Sequence, residues 1–285
     1  MSKLRLFCCC LLMVLVISLL GGFAWLEEKQ RSWIFRPGHE NLAAAERLIQ
    51  QIAYQDVWID FYSHQTNAQE SLHGVWLPSK RADAPVVLYL HGARWPVLSG
   101  IWRMQRLNEL GFSVLGIDYR GFGQSSGYMP SEAMAYEDAA QAWQWLQIHH
   151  PAQQRFIYGH SLGGTIAVDL AARVQDEQGV ILEATFPSTY EVFVTLPKWG
   201  RIPVWPLLTQ RFDAGSKIAS IGSPVLVIHG SADKTIASHL GQRLFDQAAE
   251  PKRYLPVING THHNAMMNIP AGDLRATLQQ LMDFH

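Results

Sequence analysis

Three residue types able to perform acyl transfer stand in separate short motifs of this 285-residue chain. Ser161 lies in Tyr158-Gly159-His160-Ser161-Leu162-Gly163-Gly164, Asp233 in His229-Gly230-Ser231-Ala232-Asp233, and His262 in Asn259-Gly260-Thr261-His262-His263-Asn264. A serine hydroxyl is a weak nucleophile until a base takes its proton, and that base needs an acid to fix its orientation. The three together can attack an ester, thioester or amide carbonyl. The five residues Gly159 to Gly163 read Gly-x-Ser-x-Gly, a pattern that turns a strand into a helix within one tight bend and leaves the serine Oγ exposed. A helix beginning at Leu162 aims unpaired N–H groups at the place where an oxyanion would form. Leu162 is therefore expected to supply one oxyanion N–H. The second is expected from Ala93, in the loop His91-Gly92-Ala93 that follows Leu90. Glu183 is the reserve acid, and spacing alone does not separate His262 from His263 as the base. His91, His160, Asp118 and Arg120 are expected to hold turns around the site together, and Arg94 and Trp95 to line its pocket.

Such residues must be carried by elements that bring them to one place. From Val86 onward the chain holds continuous apolar runs at Val86–Leu90, Ser113–Ile117, Phe156–Tyr158, Val180–Leu182 and Val225–Ile228, with another at Tyr254–Ile258. Uninterrupted runs of this length fit strands buried on both faces. Helix-like segments at Ile101–Leu110, Ser131–His149, Leu162–Val174 and Ser238–Ala249 alternate with them. Alternation predicts a parallel, doubly wound α/β sheet with its ligand site at the carboxyl ends of the strands, where Ser161, Asp233 and His262 all fall. Ahead of these, Val57–Tyr62 and Leu72–Leu77 predict an antiparallel hairpin at the sheet edge. The long stretch 187–223 carries Phe193, Leu196, Trp199, Trp205 and Leu207 and is expected to form a small apolar lid.

The N-terminus has another character. From Leu6 to Leu26 no residue is charged, and about 21 residues at 1.5 Å per residue span roughly 30 Å of hydrocarbon. Lys3 and Arg5 precede the run, so a single-pass membrane anchor is expected, with its N-terminus cytoplasmic and the body outside. The run is longer than a signal-peptide core and has no small-x-small site before Glu27. Beyond it, Asn41 is positioned to cap a helix over Leu42–Gln50. These features divide the chain into an anchor (1–30), a stalk with a short helix (31–55) and a catalytic domain (56–285). The formal net charge of -1, without a basic run, gives no reason to expect nucleic acid as a partner. All three cysteines lie at positions 8–10, outside the body, and neither a His-Glu-x-x-His pair nor a phosphate-binding glycine loop is present. No cofactor or metal is expected.

Five motifs together resemble the α/β-hydrolase superfamily: Gly-His-Ser-Leu-Gly-Gly at 159–164, Leu-His-Gly at 90–92, Asp-Tyr-Arg-Gly-Phe-Gly-Gln-Ser at 118–125, His-Gly-Ser-Ala-Asp at 229–233 and Gly-Thr-His-His-Asn at 260–264. The order Ser161, Asp233, His262 matches that of the triad partners in this superfamily. The anchor and short lid look most like its membrane-anchored, serine aminopeptidase-like and esterase-like branch. That resemblance implies an eight-stranded, mostly parallel sheet with helices on both faces, a small lid, and His262 rather than His263 as the base. With the residues above it implies a serine hydrolase of small acyl substrates but no one substrate, and the expected apolar lid beside a membrane suggests a lipid-like one. A serine peptidase or amidase and a catalytically silent membrane-tethered binding protein are the alternatives.

Overall fold

A computed structural model describes residues 3–38, 45–196 and 205–283, without the side chains of residues 3–11 and 14. The chain opens with α1 (Lys3–Phe35) and α2 (Glu46–Gln51), followed by the antiparallel pair β1 (Gln55–Ser63) and β2 (Ala68–Leu77). Then strands and helices alternate: β3 (Val86–Leu90), α3 (Ile101–Glu109), β4 (Ser113–Ile117), α4 (Glu132–His149), β5 (Arg155–His160), α5 (Leu162–Ala171) and β6 (Glu177–Glu183). After an insertion carrying α6 (Thr189–Thr195) come β7 (Val225–Gly230), α7 (Ser238–Gln247), β8 (Lys252–Val257) and α8 (Ala271–Met282). The eight strands form one sheet in the order β1-β2-β4-β3-β5-β6-β7-β8. Strands β3 to β8 run parallel, and β2 joins β4 antiparallel.

The continuous apolar runs become central strands because both of their faces are covered. In β3, Val86, Leu88 and Leu90 enter the core beneath α4 and α5, while Val87 and Tyr89 enter the opposite core beneath α3 and α8. That is the two-residue period of a strand feeding two layers at once. All ten residues of α5 are buried, so this helix lies at the centre of its layer. Ser131 caps α4 by accepting the Met134 N–H. The last strand ends one residue before the expected boundary, leaving Ile258 75% exposed.

The helical path does not stop at residue 30: α1 continues to Phe35, because the first strong break after Gly22 is Pro37-Gly38. The expected cap Asn41 lies outside the described residues, and α2 starts at Glu46. In the stretch 187–223 the described residues divide. Trp205 and Leu207 are exposed, whereas Phe212, Ala214 and Ile218 are buried in the main core. Trp199 lies outside the described residues. The expected membrane-crossing run, Leu6 to Leu26, is helical throughout. Among the described residues, no helix is long and apolar enough to cross a membrane.

Candidate active site

Ser161 stands between β5 and α5 with φ 55° and ψ −121°, a backbone conformation that side-chain-bearing residues rarely adopt. Its neighbours hold that conformation in place. The Ser161 N–H donates to the Glu183 carbonyl at 2.9 Å, and the Ser161 carbonyl accepts from the Gly164 N–H and the Thr185 hydroxyl, each at 2.9 Å. The bend also needs bare backbone on either side. A Cβ on Gly159 would lie 2.4 Å from the Gly163 carbonyl oxygen, and one on Gly163 would lie 2.1 Å from that of Leu90. Glycine at both positions is thus a packing requirement.

The loop after β8 brings His262 to this serine, with His262 Nε2 3.0 Å from Ser161 Oγ. The other ring nitrogen, Nδ1, lies 2.8 Å from Asp233 Oδ2, in the loop after β7. With Nδ1–H donated to the carboxylate, Nε2 is free to accept the serine proton. Asp233 Oδ1 is fixed by the N–H groups of Thr235 (2.8 Å) and Ile236 (2.9 Å). Burial opposes a charge on Asp233. Hydrogen bonding with His229 and His262, the His262 charge and the Ile236 N–H outweigh it and hold the carboxyl well below the usual carboxylate range. His263, by contrast, is on the exposed rim, its ring centroid 5.7 Å from that of Trp95.

The His262 backbone is braced from two sides. Burial, together with the charges of Arg103 and His262, pushes His160 well below its ordinary value, so this ring is neutral and its Nε2–H donates to the His262 carbonyl at 2.9 Å. Arg103 of α3 reaches the carbonyls of His262 (3.4 Å) and His263 (3.2 Å). Its Nε also donates to Glu183 Oε2 at 2.6 Å. Glu183, the reserve acid, therefore does not meet the histidine ring. It accepts from Arg103, from the Tyr158 hydroxyl and from the Met266 N–H at 3.0 Å, and is fully buried. Arg103 was absent from the sequence-level candidates, since a lone arginine on a helix gives no signal until Glu183, 80 positions away, faces it.

The remaining candidates divide between turns and pocket. Asp118 accepts the Val97 N–H at 2.7 Å and pairs with His73 at 3.0 Å. Arg120 is fully buried among Asp138, Glu137 and Ser63. Both hold the sheet edge and the start of α4, away from the serine. Ser161 and His262 open into a pocket of about 500 Å³ lined also by Ala93, Arg94, Trp95 and Trp102. Ala93 is at the pocket wall and Leu162 opens α5, so both stand beside the serine where oxyanion donors are expected. Among the described residues lining the pocket there is no carboxylate. Nor do the described residues contain a cluster of three or more histidines, cysteines or acids able to hold a metal.

Comparison with known proteins bears on family and fold. The profile of the family described as serine aminopeptidase, S33, matches residues 82–213. An uncharacterized protein of Mycobacterium tuberculosis is 32% identical over 263 residues, which cover 90% of this chain and 89% of that protein. The lysophosphatidylserine lipase ABHD12 of Danio rerio is 32% identical over 208 residues, 63% of this chain and 54% of that protein. Among solved structures, the Pyrococcus furiosus esterase Pf2001 has a TM-score of 0.63 at 17% identity, covering 86% of this chain and 96% of that one, a likeness of fold.

Proposed function

The chain belongs to the α/β-hydrolase superfamily, a superfamily of hydrolases, and from that membership we propose that it is a serine hydrolase of carboxylic esters. The observation that carries the reading is the unbroken line from Asp233 Oδ2 to His262 Nδ1 (2.8 Å) and from His262 Nε2 to Ser161 Oγ (3.0 Å). In the proposed reaction His262 takes the Ser161 proton as Oγ attacks the carbonyl carbon. The tetrahedral oxyanion accepts hydrogen bonds from the N–H groups of Leu162 and Ala93. Collapse transfers the proton from His262 to the leaving oxygen and leaves an acyl-serine, which a water activated by the same histidine hydrolyses. Ionised Asp233 keeps the ring in the right tautomer and stabilises its positive form.

The pocket favours one branch of this chemistry. A peptidase that trims free N-termini needs an anion for the substrate ammonium, and no carboxylate lines the described wall. Two arginines and several histidines line it instead, with apolar Ala93, Trp95 and Trp102. An uncharged or anionic acyl ester suits that lining, and a lysophospholipid, as in the name of the ABHD12 relative, is one such molecule.

The proposal also gives α1 a membrane role. Leu12, Met13, Leu15, Ile17, Leu19, Leu20 and Phe23 are all exposed, on successive faces of the helix, which is costly in water and favourable in lipid. The test of the hydrolase reading is a fluorophosphonate probe with a short p-nitrophenyl ester. Wild type is expected to be labelled and to turn over, and Ser161→Ala to lose both while keeping its fold. Undiminished labelling of Ser161→Ala would refute the assignment, and an unlabelled wild type would favour a silent binding protein.

A further inference from the structure

The loop carrying Ala93 is not held by its own neighbours alone. Arg94 has φ 81°, in the left-handed region that residues other than glycine seldom occupy, so something must fix it there. Both of its backbone groups are gripped by the end of α1. The Arg94 N–H donates to the Phe35 carbonyl at 2.8 Å, and the Gly38 N–H donates to the Arg94 carbonyl at 3.0 Å. On the other side of Ala93, the His91 carbonyl accepts the Tyr119 hydroxyl at 3.2 Å. Ala93 is thereby bracketed, its peptide groups strung between two anchored residues.

Side chains join the same two regions. Phe35 is fully buried, with its ring centroid 5.6 Å from that of Phe212 and 6.4 Å from that of Phe122. Phe122 in turn meets the His91 ring edge-on at 5.1 Å. Earlier in α1, Trp33 packs on Phe193 at 6.2 Å, and Gln30 bonds the Leu207 carbonyl (2.7 Å) and the Thr209 N–H (2.9 Å). A helix serving only as a tether has no reason to bury an aromatic side chain and two backbone hydrogen bonds against a catalytic loop.

We propose that the segment from Trp33, in the last turn of α1, to Gly38 just beyond it is a strap that positions the oxyanion loop, and that Phe35 is a positioning residue for acyl transfer acting through Arg94 and Ala93. The proposal rests on the serine hydrolase reading of Ser161. Loosening the strap lets the Ala93 N–H swing away from the oxyanion while leaving the pocket that binds the ground state intact. The consequence falls on kcat rather than on KM.

The experiment uses the full-length protein in detergent, with kcat expressed per serine titrated by a fluorophosphonate. Phe35→Ala empties the buried site, Phe35→Leu refills most of it, and Gly38→Pro removes the N–H that grips Arg94 and sets a ring Cδ against the Arg94 carbonyl in its place. Gly38→Ala keeps that N–H, and its Cβ would meet the Arg94 carbonyl oxygen at an ordinary 3.6 Å. Phe35→Ala and Gly38→Pro are expected to lower kcat by about 10–100-fold with KM within about twofold, short of the loss of a whole oxyanion donor. Phenylboronic acid, which forms a tetrahedral adduct, should weaken by the same factor. Phe35→Leu should recover most of the loss, and Gly38→Ala should follow wild type. Unchanged kcat per titrated serine and unchanged boronate affinity in Gly38→Pro overturn the strap, even if Phe35→Ala does not fold. A wild type that takes no fluorophosphonate overturns the hydrolase reading and the strap with it, which is a different result from a labelled wild type with indifferent strap variants.

Discussion

Changing Glu183 to Gln should unsettle the loop that carries His262 while leaving the three residues of the proposed catalytic line in place. Glu183 is fully buried, and its two oxygens accept from Arg103 Nε, the Tyr158 hydroxyl and the Met266 N–H. The amide can still accept one of these bonds, but it leaves the buried Arg103 guanidinium without its counter-charge. Removing one member of a buried ion pair costs about 3–5 kcal/mol, which lowers the melting temperature by on the order of 10 °C in a protein of this size. Arg103 also holds the His262 and His263 carbonyls, so its displacement should cost about tenfold in kcat by misplacing the base. The second variant, Asp233→Asn, should do the reverse, with a smaller loss of stability and a fall in kcat of about 10⁴-fold. Adding Arg103→Met to Glu183→Met should recover about 2 kcal/mol over Glu183→Gln, because no uncompensated charge is then left, yet not the activity. Thermal melts beside ester hydrolysis measure all three. Glu183→Gln with wild-type stability, or Asp233→Asn with wild-type turnover, would refute the division of labour between the two acids.

Two further outcomes follow from other parts of the molecule. His73 is buried between Asp118 (3.0 Å) and Asp56 (2.9 Å), and although burial opposes its charge, hydrogen bonds and charges of the two aspartates raise its pKa above 6.5. A raised folded value means that the pairing stabilises the fold fully below pH 6.5 and fades as pH climbs through that folded value. The stability margin of wild type over His73→Gln should therefore be largest near about pH 6 and shrink towards about pH 9, and a margin growing with pH would contradict it. The second outcome concerns α1. Wild type should float with phosphatidylcholine vesicles, whereas replacing the exposed apolar residues Leu15 and Ile17 with Asp should release it, at about 2.5–3.5 kcal/mol per buried charge. Equal flotation of both proteins would reject a membrane role for this helix.

The sequence spoke most clearly where a pattern has a local physical cause. Continuous apolar runs foretold the central strands because only a strand covered on both faces tolerates them. The glycines around Ser161 foretold the bend because nothing larger fits against the Gly163 and Leu90 carbonyls. What stayed hidden depended on distant partners. Glu183 ends a buried strand and Asp233 closely follows one, and only the folded chain separates them, since α3 brings Arg103 to one and the loop after β8 brings His262 to the other. His262 and His263 are identical neighbours, and the path of the loop, held at the His262 carbonyl by His160, turns one ring to the serine and the other to the rim. Phe35 gave no sign at all, because an aromatic residue after an apolar helix looks the same whether it meets lipid or a core. The C-terminal helix α8 was passed over for a similar reason: its few apolar positions, such as Leu274 and Leu278, take their meaning from the sheet they cover.

The continuity of α1 sets a reach. Phe35 lies only nine positions beyond Leu26, the end of the uncharged run, a helical rise of about 13 Å. With the run embedded as proposed, the pocket mouth hovers roughly one headgroup layer above the bilayer and cannot drift far from it. Such an enzyme searches a plane rather than a volume. Amphiphiles dissolved in the same leaflet are then met at an effective concentration that no molecule free in water attains, so selection among esters begins with where they reside, before any contact in the pocket is made.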